Sequence, residues 1–104
     1  MKQYTTPDQT AKLIELGFER PESYTNEASF LGCGYTYSVG ELISFLPQFM
    51  NFDDGKWPLS IEADPFKVKR TWWVFYAPIY HTESKELIDA IFAMVVKLKE
   101  EGVI

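Results

Sequence analysis

The sequence predicts an α+β protein of two layers, in which three helices pack mainly on one face of a small antiparallel sheet. Helices with well-marked ends open and close the chain, and two strand-like segments joined by a short link lie between them. A link this short requires antiparallel pairing. We predict the order α-β-α-β-β-α in a single globular domain, residues 1–104, because 104 residues are too few for two separate cores.

The first helix is predicted between Thr6 and Gly17. Thr6 supplies an N-cap hydroxyl, and Gln9 stands three residues later, as in a capping box. Gly17 accepts the left-handed conformation that often follows a helix, and Phe18 can then fold back on Leu13.

The segment Ala28–Tyr37 is predicted to be a short, irregular strand, because Gly32 and Gly34 interrupt it. Cys33 lies between these glycines. A reactive thiolate needs a positive neighbour or a helix N-terminus. The next helix does begin nearby, but no histidine is close in sequence, so we interpret Cys33 as a small buried apolar residue.

The second helix has the clearest start in the sequence. Ser38 and Glu41 form another capping box, and Tyr37 and Leu42 stand at the two positions of a hydrophobic staple. Pro47 disfavours helical backbone at the residue before it, so the helix should end there.

Gln48–Trp57 is predicted to be an apolar tail followed by an Asp-Gly turn. Two strands follow this turn. The first is Leu59–Asp64, in which apolar and polar residues alternate, as is typical of a half-buried strand. The second strand begins at Lys67 or Val68 and runs into the stretch Arg70–Tyr80, where Pro78 should end its regular pairing.

The last helix is predicted to begin at Thr82 or Ser84 and to end at Gly102. Its apolar stripe is wide, which suits a helix lying across the middle of a sheet. The stripe comprises Leu87, Ile88, Ile91, Phe92, Met94, Val95, Val96 and Leu98.

Both faces of the second strand are apolar. One face carries Thr71, Trp73, Phe75 and Ala77, and the other carries Arg70, Trp72, Val74 and Tyr76. Because Phe75 is all carbon, we predict that the first face meets the helices. The second face is then open and rich in residue types that are enriched at interfaces. The alternative is that loops or the segment Gln48–Trp57 cover it.

Composition excludes several classes of function. A net charge of −5 argues against nucleic-acid binding, which rests on Lys and Arg. The single cysteine excludes an intrachain disulfide and fits a reducing cytoplasm. The longest apolar stretch, Trp72–Tyr80, is about half of a membrane span. We predict an acidic, cytoplasmic protein without a membrane segment.

No residue spacing predicts catalysis, a cofactor or a metal site. His81 is the only histidine, and no nucleophile or orienting partner stands at a fixed spacing from it. Glu62 and Asp64 share one strand side as a carboxylate pair, although alternation more simply makes that side the solvated one. Asp53–Gly55 resembles part of a calcium loop, but Lys56 stands where an EF-hand requires glycine.

Three segments, Thr10–Gly17, Tyr37–Pro47 and Asp89–Val95, occur in this order and are followed by Glu101–Ile104. This pattern resembles a family of small uncharacterised proteins from prophages and mobile elements of gut anaerobic, Bacteroides-type bacteria. The shared positions are caps and core residues, so the resemblance implies a fold and an origin. No catalytic or binding residue is carried over from it, and Gln48–Lys69 is not matched to the family pattern.

Two functional hypotheses remain. The first is a non-enzymatic interaction module that binds a protein partner, or a second copy of itself, through Arg70, Trp72, Val74 and Tyr76. The second is a small-ligand-binding protein or enzyme with a pocket near Cys33 and His81. The absence of catalytic spacing favours the first.

Overall fold

The structure is a computed structural model that describes residues 4–18, 36–52, 55–64, 70–76 and 80–104. Its helices and antiparallel strands form an α+β arrangement, as predicted. In chain order the elements are α1 (Pro7–Glu15), α2 (Val39–Phe45), β1 (Phe49–Phe52), β2 (Gly55–Pro58), β3 (Ser60–Ala63), β4 (Trp72–Tyr76), β5 (Tyr80–Ser84) and α3 (Leu87–Glu100).

The five strands form two antiparallel sheets. β1 and β2 make a hairpin, whereas β3, β4 and β5 form a three-stranded sheet with β4 in the centre. The predicted antiparallel pairing is confirmed, with Ile61 of β3 opposite Val74 of β4. Thr82 of β5 lies opposite Val74 on the other side. This register decides which side chains share a face of the sheet.

Helix α3 covers one face of the three-stranded sheet. It contacts β4 and β5, and α2 packs against it. Thr82 Oγ1 donates a 2.8 Å hydrogen bond to the Ala90 carbonyl, so the side of the sheet that carries Val74 faces α3. The predicted helical layer on one face is present as α3, against which α2 packs. The buried apolar cluster comprises Leu13, Tyr37, Leu42, Leu46, Met50, Val74, Tyr76, Ile88, Ala90, Ile91, Met94, Val95 and Leu98.

Both ends of α1 follow the predicted chemistry. Gln9 N–H donates to Thr6 Oγ1 at 3.2 Å, and Thr6 N–H donates to Gln9 Oε1 at 2.9 Å, which completes the capping box. Gly17 has φ of 101°, a backbone that strains a residue with a Cβ. The turn it permits lets Phe18 N–H bond the Leu13 carbonyl at 3.1 Å, in a Schellman motif.

Helix α2 also begins and ends as predicted. Ser38 Oγ accepts from Glu41 N–H and Glu41 Oε1 accepts from Ser38 N–H, both at 3.2 Å. Tyr37 and Leu42, the two residues of the predicted staple, are both fully buried. Leu46 adopts extended backbone with ψ of 136°, because helical backbone before a proline is sterically disfavoured.

A polar contact at the start of the described chain joins α1 to α2. Thr5 Oγ1 accepts from Tyr37 N–H at 2.9 Å and lies 2.7 Å from Thr10 Oγ1. Tyr4 forms an isolated antiparallel bridge with Ser38. Of the predicted strand Ala28–Tyr37, only Thr36 and Tyr37 can be compared with the structure, because residues 19–35 lie outside the described residues.

The strand content differs from the prediction. β1 and β2 occupy the segment expected to be a tail and a turn. β5 occupies residues expected to be a loop and the start of the last helix, so Thr82 and Ser84 are not N-caps, and α3 begins at Leu87. The Thr82 hydroxyl instead bonds across the sheet–helix interface, and Glu86 at the N-cap makes no side-chain capping bond. Packing therefore overrides the local capping signal.

Within the described residues, no helix combines the length and the apolar character that crossing a membrane requires.

Ser38→Ala should lower the free energy of unfolding by about 1 kcal/mol, because it removes the acceptor for an N-terminal N–H of α2. Ser44→Ala is a matched control in the same helix. Ser44 is exposed and bonds only the Glu41 carbonyl, so its replacement should change stability by less than about 0.5 kcal/mol. Urea denaturation measures both changes, and equal effects would contradict the capping role.

Candidate functional site

The predicted open face of β4 is largely part of the core. Val74 and Tyr76 are 0% exposed, and Trp72 is half-buried and packs against the buried cluster. Arg70 is exposed and lies outside β4, with φ of 53°. The assignment of the two faces of β4 is thus wrong, and the structure brings together only Arg70 and Trp72 near the surface.

The physical reason for this error lies in the tyrosine hydroxyl. We expected the all-carbon Phe75 to mark the core face, but a buried tyrosine is tolerated when its O–H finds an acceptor. Tyr76 O–H donates to the carbonyl of Pro47. The Val74 carbonyl also accepts a 3.4 Å bond from Thr82 Oγ1, the hydroxyl that bonds α3. These bonds satisfy polar atoms on the buried side.

The segment Gln48–Trp57 contributes to covering that buried side. Met50 of β1 lies in the same buried cluster as Tyr76, and the Leu59 N–H bonds the Gln48 carbonyl at 2.9 Å. The opposite side of the hairpin points to solvent, and Phe49 there is 54% exposed. The hairpin therefore adds to the core and presents an isolated exposed aromatic ring.

The other side of the three-stranded sheet is an aromatic surface with acidic flanks. Trp73 and Phe75 are half-buried and do not pack against the buried cluster. Trp73 lies between Glu62 of β3 and Glu83 of β5 in register, and both glutamates are exposed. We name this surface the outer sheet face and define it by Ser60, Glu62, Trp73, Phe75, His81 and Glu83.

Trp73 is the residue of the outer sheet face with the clearest contacts to its neighbours. The His81 ring meets its indole edge-on, with centroids 5.4 Å apart and planes at 88°. Thr71 Oγ1 lies 3.1 Å from Glu83 Oε2, so it belongs to the same side. Trp73 Nε1 is buried and has no hydrogen-bond partner in the described structure. An unsatisfied buried N–H costs about 1–3 kcal/mol, and Trp57 Nε1 on the hairpin is in the same state.

A pocket of about 370 Å³ opens where β3 ends and β4 begins. We call it the end pocket, and its lining residues are Ala63, Asp64, Arg70, Thr71 and Trp72. The Asp64 N–H donates a 2.7 Å bond to the Thr71 carbonyl and closes the sheet beside it. Arg70 has a left-handed backbone, and this conformation costs about 1–2 kcal/mol relative to a right-handed one. Among the described non-glycine residues it alone has positive φ.

A second groove, of about 510 Å³, follows the exposed side of α3. Phe92, Ala93 and Val96 line it together with Lys97, Glu100 and Glu101. Lys97 Nζ lies 5.8 Å from the centroid of the Tyr80 ring, which is a cation–π distance. This contact joins the edge of the groove to β5.

The residues considered for catalysis do not come together. His81 is exposed on the outer sheet face and lines neither pocket, and Cys33 lies outside the described residues. Glu62 is exposed, whereas Asp64 follows the end of β3 and is only 8% exposed, so the two do not share one solvated side. Asp53 and Asp54 also lie outside the described residues. Among the residues that the structure describes, no three His, Cys, Asp or Glu side chains are placed to hold a metal ion.

Comparison of the chain with protein-family models, with curated proteins and with solved structures finds no match. The resemblance to a mobile-element family therefore stays a prediction.

Tyr76→Phe should lower the free energy of unfolding by about 1 kcal/mol near neutral pH, because the Pro47 carbonyl loses its donor. Burial raises the pKa of Tyr76 from 10.0 to about 12. The unfolded tyrosine loses its proton near pH 10 and the folded one near pH 12. The stability that this protonated group contributes is therefore complete below pH 10 and is lost between pH 10 and 12.

The variant should accordingly show a shallower decline of stability over that pH range in denaturant titrations. Burial and, to a smaller extent, Glu41 also raise the pKa of Tyr37, so part of the decline should persist in the variant. An unchanged slope would show that Tyr76 does not contribute to the alkaline transition.

Proposed function

We propose that the protein is a non-enzymatic interaction module that binds a partner protein through the outer sheet face. The observation that carries this proposal is the position of Trp73 and Phe75. Both rings stand on the central strand, on the side opposite α3, and neither packs against the buried cluster. The sequence hypothesis of an interaction surface on this strand is kept, but its residues change.

Residue type supports a binding role for this face. Tryptophan is enriched among the residues that dominate binding energy at protein interfaces. Trp73 sits in the centre of the three-stranded sheet, where the neighbouring strands fix its backbone on both sides. A ring held in this way loses little conformational entropy when a partner covers it.

Charge defines the chemistry of the partner. Glu62 and Glu83 flank Trp73 on the two neighbouring strands, and the whole chain carries a net charge of −5. A complementary surface places an apolar group over Trp73 and Lys or Arg side chains over the two carboxylates. Such complementarity mainly accelerates association and suppresses wrong partners.

The setting of this function follows from the sequence predictions. We propose a cytoplasmic protein of a prophage or mobile element that binds a protein and not a nucleic acid. The acidic flanks support this choice, because they would repel a phosphate backbone.

Trp73→Ala should abolish capture of a specific partner from a lysate of the native cells, because it removes the central ring. Glu62→Gln with Glu83→Gln should weaken the same capture by up to about tenfold, since two exposed charge pairs worth at most about 1 kcal/mol each are lost. The glutamines are nearly isosteric, so this variant tests the surface even if Trp73→Ala lowers stability. Quantitative mass spectrometry of the captured proteins measures both effects.

Phe49→Ala is the matched control, because Phe49 is an exposed ring on the hairpin and not on the outer sheet face. It should leave capture unchanged. A partner that is retained by the folded Trp73 and double-glutamine variants, or that is insensitive to added salt, would show that the outer sheet face is not the binding surface.

A further inference from the structure

We propose that the end pocket binds a small monocarboxylate with an apolar, planar body. This site is separate from the outer sheet face and does not depend on the function proposed for it. Its volume of about 370 Å³ falls within the range of small-molecule sites, roughly 300–1,000 Å³.

Arg70 supplies the carboxylate-binding group. Its guanidinium offers a rigid fork of N–H donors that matches a carboxylate in two parallel hydrogen bonds. Arg70 is exposed and lines the pocket, so it is open to a ligand that enters there.

The backbone at Arg70 is an independent observation that points to the same site. Glycine or asparagine would adopt a φ of 53° with less strain than arginine. Non-glycine residues with such backbone cluster at ligand sites, where the surrounding structure holds them. Arg70, the residue with this strained backbone, lines the pocket.

The remaining walls set the shape and charge of the ligand. Trp72 and Ala63 provide an apolar surface against which a planar group can pack. Asp64 also lines the pocket, and its carboxylate repels a ligand with two negative charges more strongly than a ligand with one. The pocket should therefore prefer a single carboxylate to a phosphate dianion of similar size.

Benzoate is the probe, and titration of the isotope-labelled full chain followed by NMR is the measurement. We expect saturable shifts of the Ala63 and Thr71 amides and of the Trp72 indole. Phenyl phosphate and benzyl alcohol, which carry the same ring, should each bind at least about tenfold more weakly, a loss of about 1.4 kcal/mol.

Arg70→Gln should weaken benzoate binding at least about tenfold, and Arg70→Gly should abolish it while leaving the thermal midpoint unchanged or higher. Lys56→Gln, which removes an exposed positive charge on the hairpin, is the control and should bind normally. Shifts that do not saturate, binding that survives Arg70→Gln, or tighter binding of phenyl phosphate would each overturn the proposal.

Discussion

The contact of α3 with the three-stranded sheet determines the rest of the structure. Thr82 Oγ1 bonds the Ala90 carbonyl across this contact, and Thr82 lies opposite Val74 in the sheet. Because side chains on a strand alternate between its two faces, this placement assigns every residue of β4 to one side. Val74 and Tyr76 become core, and Trp73 and Phe75 become the outer surface.

Polar atoms inside the core are largely satisfied by bonds between distant segments. The Tyr76 hydroxyl reaches the Pro47 carbonyl, and Thr5 joins the start of α1 to Tyr37. Such bonds add little net stability, but losing one partner leaves a buried group unpaired, which is costly. Three described side-chain atoms, Thr36 Oγ1, Trp57 Nε1 and Trp73 Nε1, are buried without a described partner, and the last of them lies on the outer sheet face.

The two proposed sites use neighbouring residues of one strand in opposite ways. Trp73 presents a ring between two carboxylates on the outer sheet face, whereas Trp72 belongs to the core side and lines the end pocket beside Arg70. The first surface favours a partner that carries positive charge. The second favours a small negative ligand. Because side chains alternate between the two faces of β4, the neighbouring residues Trp72 and Trp73 belong to two proposed sites that favour opposite charges.

The sequence alone determined the features that depend on a few neighbouring residues. The capping boxes at Thr6 and Ser38, the stop at Gly17 and the end of α2 before Pro47 are all present. Each is set by hydrogen bonds or backbone restrictions within about five residues. The fold class followed from these ends, from the wide stripe of α3 and from the short link that requires antiparallel strands.

Only the tertiary structure decided the hairpin β1–β2, the strand β5 and the orientation of β4. A strand is stabilised by partners that are distant in sequence, and an apolar pattern on both faces does not indicate which one a helix will cover. The open face predicted for Arg70, Trp72, Val74 and Tyr76 therefore failed, although Arg70 and Trp72 do meet in the end pocket. Burial of Tyr76 required an acceptor from Pro47, and only the folded chain could supply it.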